Sequence, residues 1–242
     1  MSLILIYGFL LVGCATGIIG NPTDKVTCNK VDENLCEVLV YDPDLPIISE
    51  EIPADNIVEV RLNGTIKSMK LTSNVCNAFP NVKVIKAIGI GLKEVAADAF
   101  KGCSKLTAIY LDNNEISSLD NSLFESNHLL ERLELPNNTI KTFDTSILNH
   151  TPKLQLMFLS DNGMENFILG DLSTELTELR KIELQNNKLK SLNLREFKKH
   201  FPYLRILVMC YRDFPDVDAE KLMTDLPPEQ RFLSLNDFDS CE

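Results

Sequence analysis

The chain has 242 residues, of which 44% are hydrophobic, and its formal net charge at pH 7 is −11. This length is enough for one elongated domain. The acidic balance, with no basic run to offset it, argues against nucleic acid as a partner, because such a protein repels phosphate backbones.

Residues 1–17 read MSLILIYGFLLVGCATG, an apolar run followed by small residues. This pattern predicts a signal peptide that is cleaved at a small-x-small site at positions 13–15 or 15–17. The run is short for a membrane span and no second long apolar run follows it, so we expect no integral membrane segment. The protein is therefore expected to be secreted and extracellular. The alternative is a lipoprotein box in which Cys14 is the lipidated residue.

Residues 18–56 form the expected N-terminal cap. Within it, the stretch from Leu35 to Tyr41 is apolar and rich in strand-forming residues, and the turn sequence DPDLP follows. An end strand that covers the first repeat is the economical interpretation, because the ends of stacked repeats need polar covers.

The centre of the chain carries an internal repeat, whose clearest copy spans residues 106–119 and reads LTAIYLDNNEISSL. Further copies begin at Leu130, Leu154 and Leu179. Four copies in phase match the leucine-rich repeat pattern L-x-x-L-x-L-x-x-N-x-L, which one copy alone would not establish. Degenerate copies begin at Ile57, Val82 and Leu204. Seven repeats are thus predicted over residues 57–209.

Each repeat is too small to bury its own apolar face, so neighbouring repeats must stack and share one core. The L-x-L portion predicts a short strand whose alternate residues point inward. The expected fold class is α/β, a leucine-rich repeat solenoid with a curved parallel β-sheet on its concave face and disulfide-closed caps at both ends. Strands should begin near Val58, Ile85, Ile109, Leu133, Met157, Ile182 and Leu207.

One polar residue recurs in the same slot of four repeats. Its amide can both donate and accept hydrogen bonds, and the turn after each strand needs both because its backbone groups are buried. We therefore expect a buried ladder rather than four surface turn residues. Its members are Asn114, Asn138, Asn162 and Asn187.

Seven cysteines become six when Cys14 leaves with the leader, and six in a secreted chain predict disulfides. Fifteen connectivities are formally possible. Positions along the predicted solenoid favour pairing within the N-terminal cap, between two successive repeats, and between the last strand and the C-terminus. The predicted pairs are Cys28–Cys36, Cys76–Cys103 and Cys210–Cys241.

Residues 210–242 form the expected C-terminal cap, with helical character over residues 216–226. Cysteines and histidines do not cluster with ligand spacing, since the histidines are scattered, so we predict neither a metal site nor a cofactor. The histidines are His128, His150 and His200. The common hydrolase, metalloprotease and phosphate-loop motifs are also missing, so an enzyme is not expected.

The concave side is the candidate functional surface. There, large apolar side chains should stand beside charges of both signs, as at protein-binding hot spots, although short strands also tolerate scattered exposed apolar groups. The candidate partner-binding residues are Tyr110, Arg132, Glu134, Leu156, Phe158 and Asp161. Intact N-glycosylation acceptors are present at Asn63, Asn137 and Asn149.

Leu106 to Leu192, with the cysteine-bearing ends, resembles the extracellular leucine-rich repeat family. The stretch ADAFKGCSKL, residues 97–106, looks like repeats of Toll-like receptor ectodomains. The modest number of repeats and the leader look more like the short secreted leucine-rich immune proteins of insects, including mosquitoes. No heptad run follows Cys210, in contrast to the longer members of that group.

This resemblance implies that the protein recognises an extracellular protein or a microbial surface component in innate immunity. The alternative is a matrix or adhesion component, or a soluble decoy for a signalling ligand. The sequence leaves the oligomeric state open.

Overall fold

The computed structural model describes residues 25–189 and 192–210 and the backbone of residues 233–236. Its strands are β1 Val26–Asp32, β2 Leu35–Tyr41, β3 Ile47–Ser49, β4 Glu59–Ile66, β5 Lys70–Leu71, β6 Val84–Lys86, β7 Glu94–Val95, β8 Ala108–Tyr110, β9 Arg132–Glu134, β10 Thr142–Asp144, β11 Leu156–Phe158, β12 Asn166–Ile168, β13 Lys181–Glu183, β14 Ile206–Cys210 and β15 Leu233–Asn236. Its helices are α1 Asn74–Ala78 and α2 Leu194–His200, with 3-10 turns at Ala54–Asn56 and Thr145–Leu148.

Eleven of the described strands form one sheet, in the order β15-β14-β13-β11-β9-β8-β6-β4-β2-β1-β3. From β2 to β15 every neighbouring pair is parallel. The seven repeat strands are β4, β6, β8, β9, β11, β13 and β14, and each begins within one residue of its predicted position. The structure therefore confirms the predicted solenoid with its parallel sheet.

The core lies behind the central residue of each repeat strand. In β6, β8, β9, β11 and β13 that residue is buried, while its two neighbours are half-exposed. The central residues stack on one another through the strand register, as Ile109 does on Leu133 and Leu133 on Met157. Outside the sheet, the rings of Phe100 and Phe124 stack between successive repeats with their centroids 6.0 Å apart. One apolar core thus runs through the stack of repeats.

The four ladder asparagines are all buried, with at most 7% of each residue exposed. In Asn138, Nδ2 donates to the carbonyl of Leu135 in its own repeat (3.1 Å) and to that of Leu111 in the preceding repeat (2.9 Å). Its Oδ1 accepts from the backbone N–H of Ile116 at 3.0 Å. Equivalent contacts are made by Asn114, Asn162 and Asn187. Each amide thereby joins two repeats through backbone groups that need a partner.

The residue before each ladder slot has a left-handed backbone conformation, with φ between 54° and 64°. Glycine, asparagine and aspartate reach this region more easily than other residues, because the first lacks Cβ and the others bond locally. These residues are Gly89, Asn113, Asn137, Asp161 and Asn186. The two successive polar residues of the repeat therefore have separate roles. The first allows the chain to turn, and the second stabilises the turn through its hydrogen bonds.

The N-terminal end is closed by the hairpin of β1 and β2. The strand β2 pairs in parallel with the first repeat strand, β4, as expected of an end strand. The disulfide Cys28–Cys36 joins the hairpin, with 5.5 Å between its Cα atoms, and Cys76–Cys103 joins successive repeats, with 5.0 Å. Two of the three predicted disulfides are thus confirmed.

At the other end, Cys210 of β14 is also disulfide-bonded, and its predicted partner Cys241 lies outside the described residues. The expected leader over 1–17 and the expected helix over 216–226 lie outside them too. The sheet extends one strand further than the sequence predicted, because β15 pairs in parallel with β14. Within the described part of the chain, no helix is long and apolar enough to cross a membrane.

The Asn138→Ala variant should lower the free energy of unfolding by about 1–3 kcal/mol, because the N–H of Ile116 loses its partner in a buried site and the carbonyls of Leu111 and Leu135 each lose one of two hydrogen bonds. Urea unfolding of the unglycosylated protein measures this change. The matched control is Asn137→Gly, which keeps those hydrogen bonds and suits the left-handed position, so it should change stability by less than about 0.5 kcal/mol. Equal losses in the two variants would contradict a structural role for the ladder.

Peptide mapping of the non-reduced protein should recover Cys210 linked to Cys241. This pairing would hold the C-terminal segment over the open end of the core, which a stack of repeats needs to have covered. Recovery of Cys241 linked to a second chain would show instead that this cysteine joins two molecules.

Candidate functional site

The residues on either side of each buried strand centre form two columns on the concave face, aligned by the strand register. The first column is Val84, Ala108, Arg132, Leu156, Lys181 and Ile206. The second column is Lys86, Tyr110, Glu134, Phe158, Glu183 and Val208. Side chains that are about 24 residues apart in sequence therefore become direct neighbours in space.

Aromatic rings and cations alternate along this face. The ring of Tyr110 lies between Lys86 of the preceding repeat, whose Nζ is 5.3 Å from the ring centroid, and Arg132 of the following repeat at 5.8 Å. The ring of Phe158 likewise lies between Arg132 at 4.6 Å and Lys181 at 5.4 Å. These five residues are named here the cation–aromatic strip. Because each ring attracts a cation on two sides, the stacking holds the side chains in one arrangement.

Each cation of the strip also has a carboxylate neighbour on the concave face. The ion pairs are Lys86–Glu59 at 2.9 Å, Lys181–Glu183 at 2.6 Å and Arg132–Glu134. Partial burial acts to raise the pKa of Glu59, but hydrogen bonds from Lys86 and Arg61 outweigh it, so that pKa is lowered. Half-exposed ion pairs add little net stability, but they restrict the long side chains and cancel their charges locally.

Asp112 is different from these carboxylates. Burial, and then the charge and hydrogen bond of the neighbouring Glu134, raise the pKa of Asp112 to about 6, and Arg132 opposes this only in part. The Oδ1 atom of Asp112 is buried and has no hydrogen-bond partner. No salt bridge reaches Asp112 from the residues that the structure describes. Asp112 is thus a carboxylate of the concave face whose charge the described residues compensate only in part.

Five of the six predicted contact residues lie on this face. They are Tyr110, Arg132, Glu134, Leu156 and Phe158. Tyr110, Arg132 and Phe158 belong to the strip itself, and Leu156 stands half-exposed in the first column, beside Arg132 and Lys181. The alternating pattern of the strands therefore places these side chains on one surface.

Asp161 is the sixth predicted residue, and it lies in the turn that follows β11. Its backbone has turned into the left-handed region after β11, with φ 57°. Its Oδ1 accepts a hydrogen bond of 2.7 Å from Nδ2 of Asn186, the equivalent residue of the next repeat. Asp161 therefore connects two turns at the rim of the sheet.

The predicted patch left out three charged residues that belong to this surface, namely Lys86, Lys181 and Asp112. All three have the outward phase, so the repeat pattern itself could have found them. The pattern does not show the contacts between neighbouring repeats, in which each ring lies between two cations.

The three glycosylation acceptors have different surroundings. Asn137 is exposed in its left-handed turn, and Asn63 is exposed on β4 with its Nδ2 bonded to Glu37. The amide of Asn149 instead holds the following loop, since Oδ1 accepts from Ser173 N–H at 2.6 Å and Nδ2 donates to the Asp171 carbonyl at 3.1 Å. These contacts make Asn149 a structural residue of its turn.

The repeats match a known family. Residues 91–140 and 104–164 fit a family model described as leucine rich repeat. Residues 91–164 therefore lie within matches to this repeat family. A comparison of the whole chain with curated proteins found no match.

Solved structures share the fold. The LRIM1/APL1C complex aligns with a TM-score of 0.64 and 22% identity over 77% of this chain and 36% of that one. The leucine-rich repeat domain of APL1B aligns with a TM-score of 0.51 and 20% identity over 66% and 52% of the two chains. The TLR13–ssRNA13 complex aligns with a TM-score of 0.54 and 20% identity over 72% of this chain and 28% of that one. The resemblance to leucine-rich repeat immune proteins is therefore confirmed at the level of the fold.

The Asp112→Asn variant should raise thermal stability more at about pH 8 than at about pH 4. Because the pKa of Asp112 in the folded protein is about 6, above its ordinary value of 3.8, the folded state binds this proton more tightly and loses stability as the pH rises through that window. The amide cannot ionise. Since the group is half-exposed, we expect a gain of about 1 kcal/mol, or about 2–4 °C in Tm, at the higher pH.

Differential scanning calorimetry of both proteins across this pH range measures the effect. The control is Asp120→Asn, because hydrogen bonds from Ser122 lower the pKa of Asp120, so its replacement should act in the opposite direction. A gain for Asp112→Asn that does not change with pH would show that the carboxyl is not the cause.

Proposed function

We propose that this leucine-rich repeat protein is secreted and binds an extracellular protein partner through its concave face, in innate immune recognition. The observation that carries the proposal is the cation–aromatic strip, in which two rings and three cations alternate over five successive repeats. Tyrosine and arginine are enriched among the residues that dominate protein–protein binding energy.

The strip suits a protein partner because it is already ordered. Its rings lie between cations and its cations pair with carboxylates, so little side-chain freedom is lost when a partner contacts it. The neighbouring Leu156 and the exposed Ile206 add apolar area to the same sheet face. A surface with aromatic area, apolar area and charges of both signs resembles the composition of protein interfaces.

The solved relatives support partner binding as a general use of this fold, since two of them are complexes by name, one of LRIM1 with APL1C and one of TLR13 with RNA. For the present chain, a net charge of −11 disfavours RNA. The disulfides favour an oxidising compartment, which is consistent with secretion. We propose that the protein acts as a binding scaffold and not as an enzyme, and needs no cofactor.

Affinity capture from the extracellular fluid of the source organism, with the mature protein as bait, tests this proposal. The Phe158→Ala variant should weaken binding of the captured protein by about 1–3 kcal/mol, because the ring is a central anchor of the strip. Phe158 is half-exposed, so its loss should leave the fold intact.

The matched control is Tyr203→Ala, which removes an aromatic side chain that is 48% exposed and outside the strip. Binding to this variant should equal binding to the parent. If the partner binds Phe158→Ala and Tyr110→Ala as tightly as the parent, then the concave face is not the binding surface. Capture of a polysaccharide or another non-protein microbial component would contradict a protein as the ligand.

A further inference from the structure

Asp112 lacks the cation that pairs with three carboxylates of the repeat strands. Glu59, Glu134 and Glu183 each lie within salt-bridge distance of a lysine or arginine. Asp112 has no such partner among the described residues, and its Oδ1 is buried without a hydrogen bond. The buried Oδ1 is closed to a partner, but the rest of the half-exposed carboxyl presents its charge to the concave face.

The two neighbours of Asp112 in its row, one in each adjacent repeat, cannot supply a donor from their side chains. The backbone bonds from Gly89 N–H to Asp112 O and from Asn113 N–H to Pro136 O place Ile88 on one side of Asp112 and Pro136 on the other. Neither isoleucine nor proline carries a polar side-chain group, and proline lacks a backbone N–H as well. The carboxyl is therefore set between two apolar neighbours within its row.

The cation nearest to Asp112 is already committed elsewhere. Arg132 donates to Glu134 and stacks on the rings of both Tyr110 and Phe158. The charge of Arg132 acts to lower the pKa of Asp112, but burial and Glu134 raise this pKa by more. The local charge around Asp112 thus stays negative although the strip as a whole contains three cations.

We propose that the partner inserts one basic side chain, from lysine or arginine, against Asp112 and Glu134 beside the ring of Tyr110. The inference rests on the proposed function of the concave face and adds the chemistry of the contact. Two adjacent carboxylates attract a cation by charge and accept its hydrogen bonds. The net charge of −11 would also draw a basic partner surface towards this protein from a distance.

The site should bind more weakly in acid. The charged groups that act on Asp112 are Arg132 and Glu134 on β9. Since the pKa of Asp112 is about 6, most of its charge is lost at about pH 5. The affinity for a cation should therefore be about tenfold lower at about pH 5 than at about pH 7.5.

The experiment uses four blocked tripeptides of the form acetyl-Gly-X-Gly-amide, in which X is arginine, lysine, glutamine or glutamate. They are titrated into the isotopically labelled full mature chain, and NMR follows the Asp112 carboxyl and the Tyr110 ring. The arginine and lysine peptides should give saturable shifts of both groups. The glutamine and glutamate peptides should give none, because they carry no positive charge.

Two variants make the test specific. Asp112→Asn keeps the shape of the side chain and should bind the arginine peptide at least about tenfold more weakly, as loss of a charged hydrogen-bond partner predicts. Glu115→Gln removes an exposed carboxylate of the same repeat, which pairs with Lys93, and should bind like the parent. A thermal melt of each variant verifies that it is folded.

The inference is wrong if Asp112→Asn binds the arginine peptide as well as the parent, or if the glutamine peptide binds equally. It is also wrong if calcium chloride alone saturates Asp112 while the arginine peptide does not, since the pair would then be a metal site. These titrations need no natural partner, so they are independent of the capture experiment. If they fail while Phe158→Ala still loses the captured protein, only the basic contact is disproved.

Discussion

The hydrogen bonds of the asparagine ladder are the interaction on which the rest of the structure depends. A strand of three residues offers few backbone bonds, and the chain must leave the sheet directly after it. The groups in that turn are buried, so each would be costly without a partner. Asn138 satisfies carbonyls of its own and of the preceding repeat and an N–H of the preceding repeat. One side chain thereby fixes both the turn and the distance to the next turn.

That fixed distance determines what the concave face can do. Adjacent parallel strands lie about 4.8 Å apart, so side chains in one column are always close enough to interact. A ring followed by a cation in the next repeat therefore gives a stacked pair without any further structure. The alternation of Tyr110, Arg132 and Phe158 uses this spacing on both sides of the guanidinium. The candidate binding surface is in this sense a product of the same repeat that builds the core.

The sequence predicts what the period encodes and misses what depends on contacts between repeats. Strand positions, the buried asparagines and the side of the sheet on which Tyr110 and Phe158 lie all follow from phase. The pattern places Asp161 just after a strand but does not reveal that its backbone turns to positive φ. The only partly compensated charge of Asp112 depends on its two neighbours in the row, which only the register identifies. The strand β15 follows a segment without repeat pattern, so phase could not indicate it.

Rigidity also decides how such a face recognises a partner. Its side chains emerge from strands whose centres are buried, and the stacking of rings on cations holds them in one arrangement. The partner must therefore bring a complementary shape, and affinity depends on new contacts more than on rearrangement. Where the strip has already paired its charges, a partner can only exchange one ion pair for another. At Asp112 a partner can add an ion pair without breaking another. For that reason this carboxylate can contribute more to specificity than the paired charges around it.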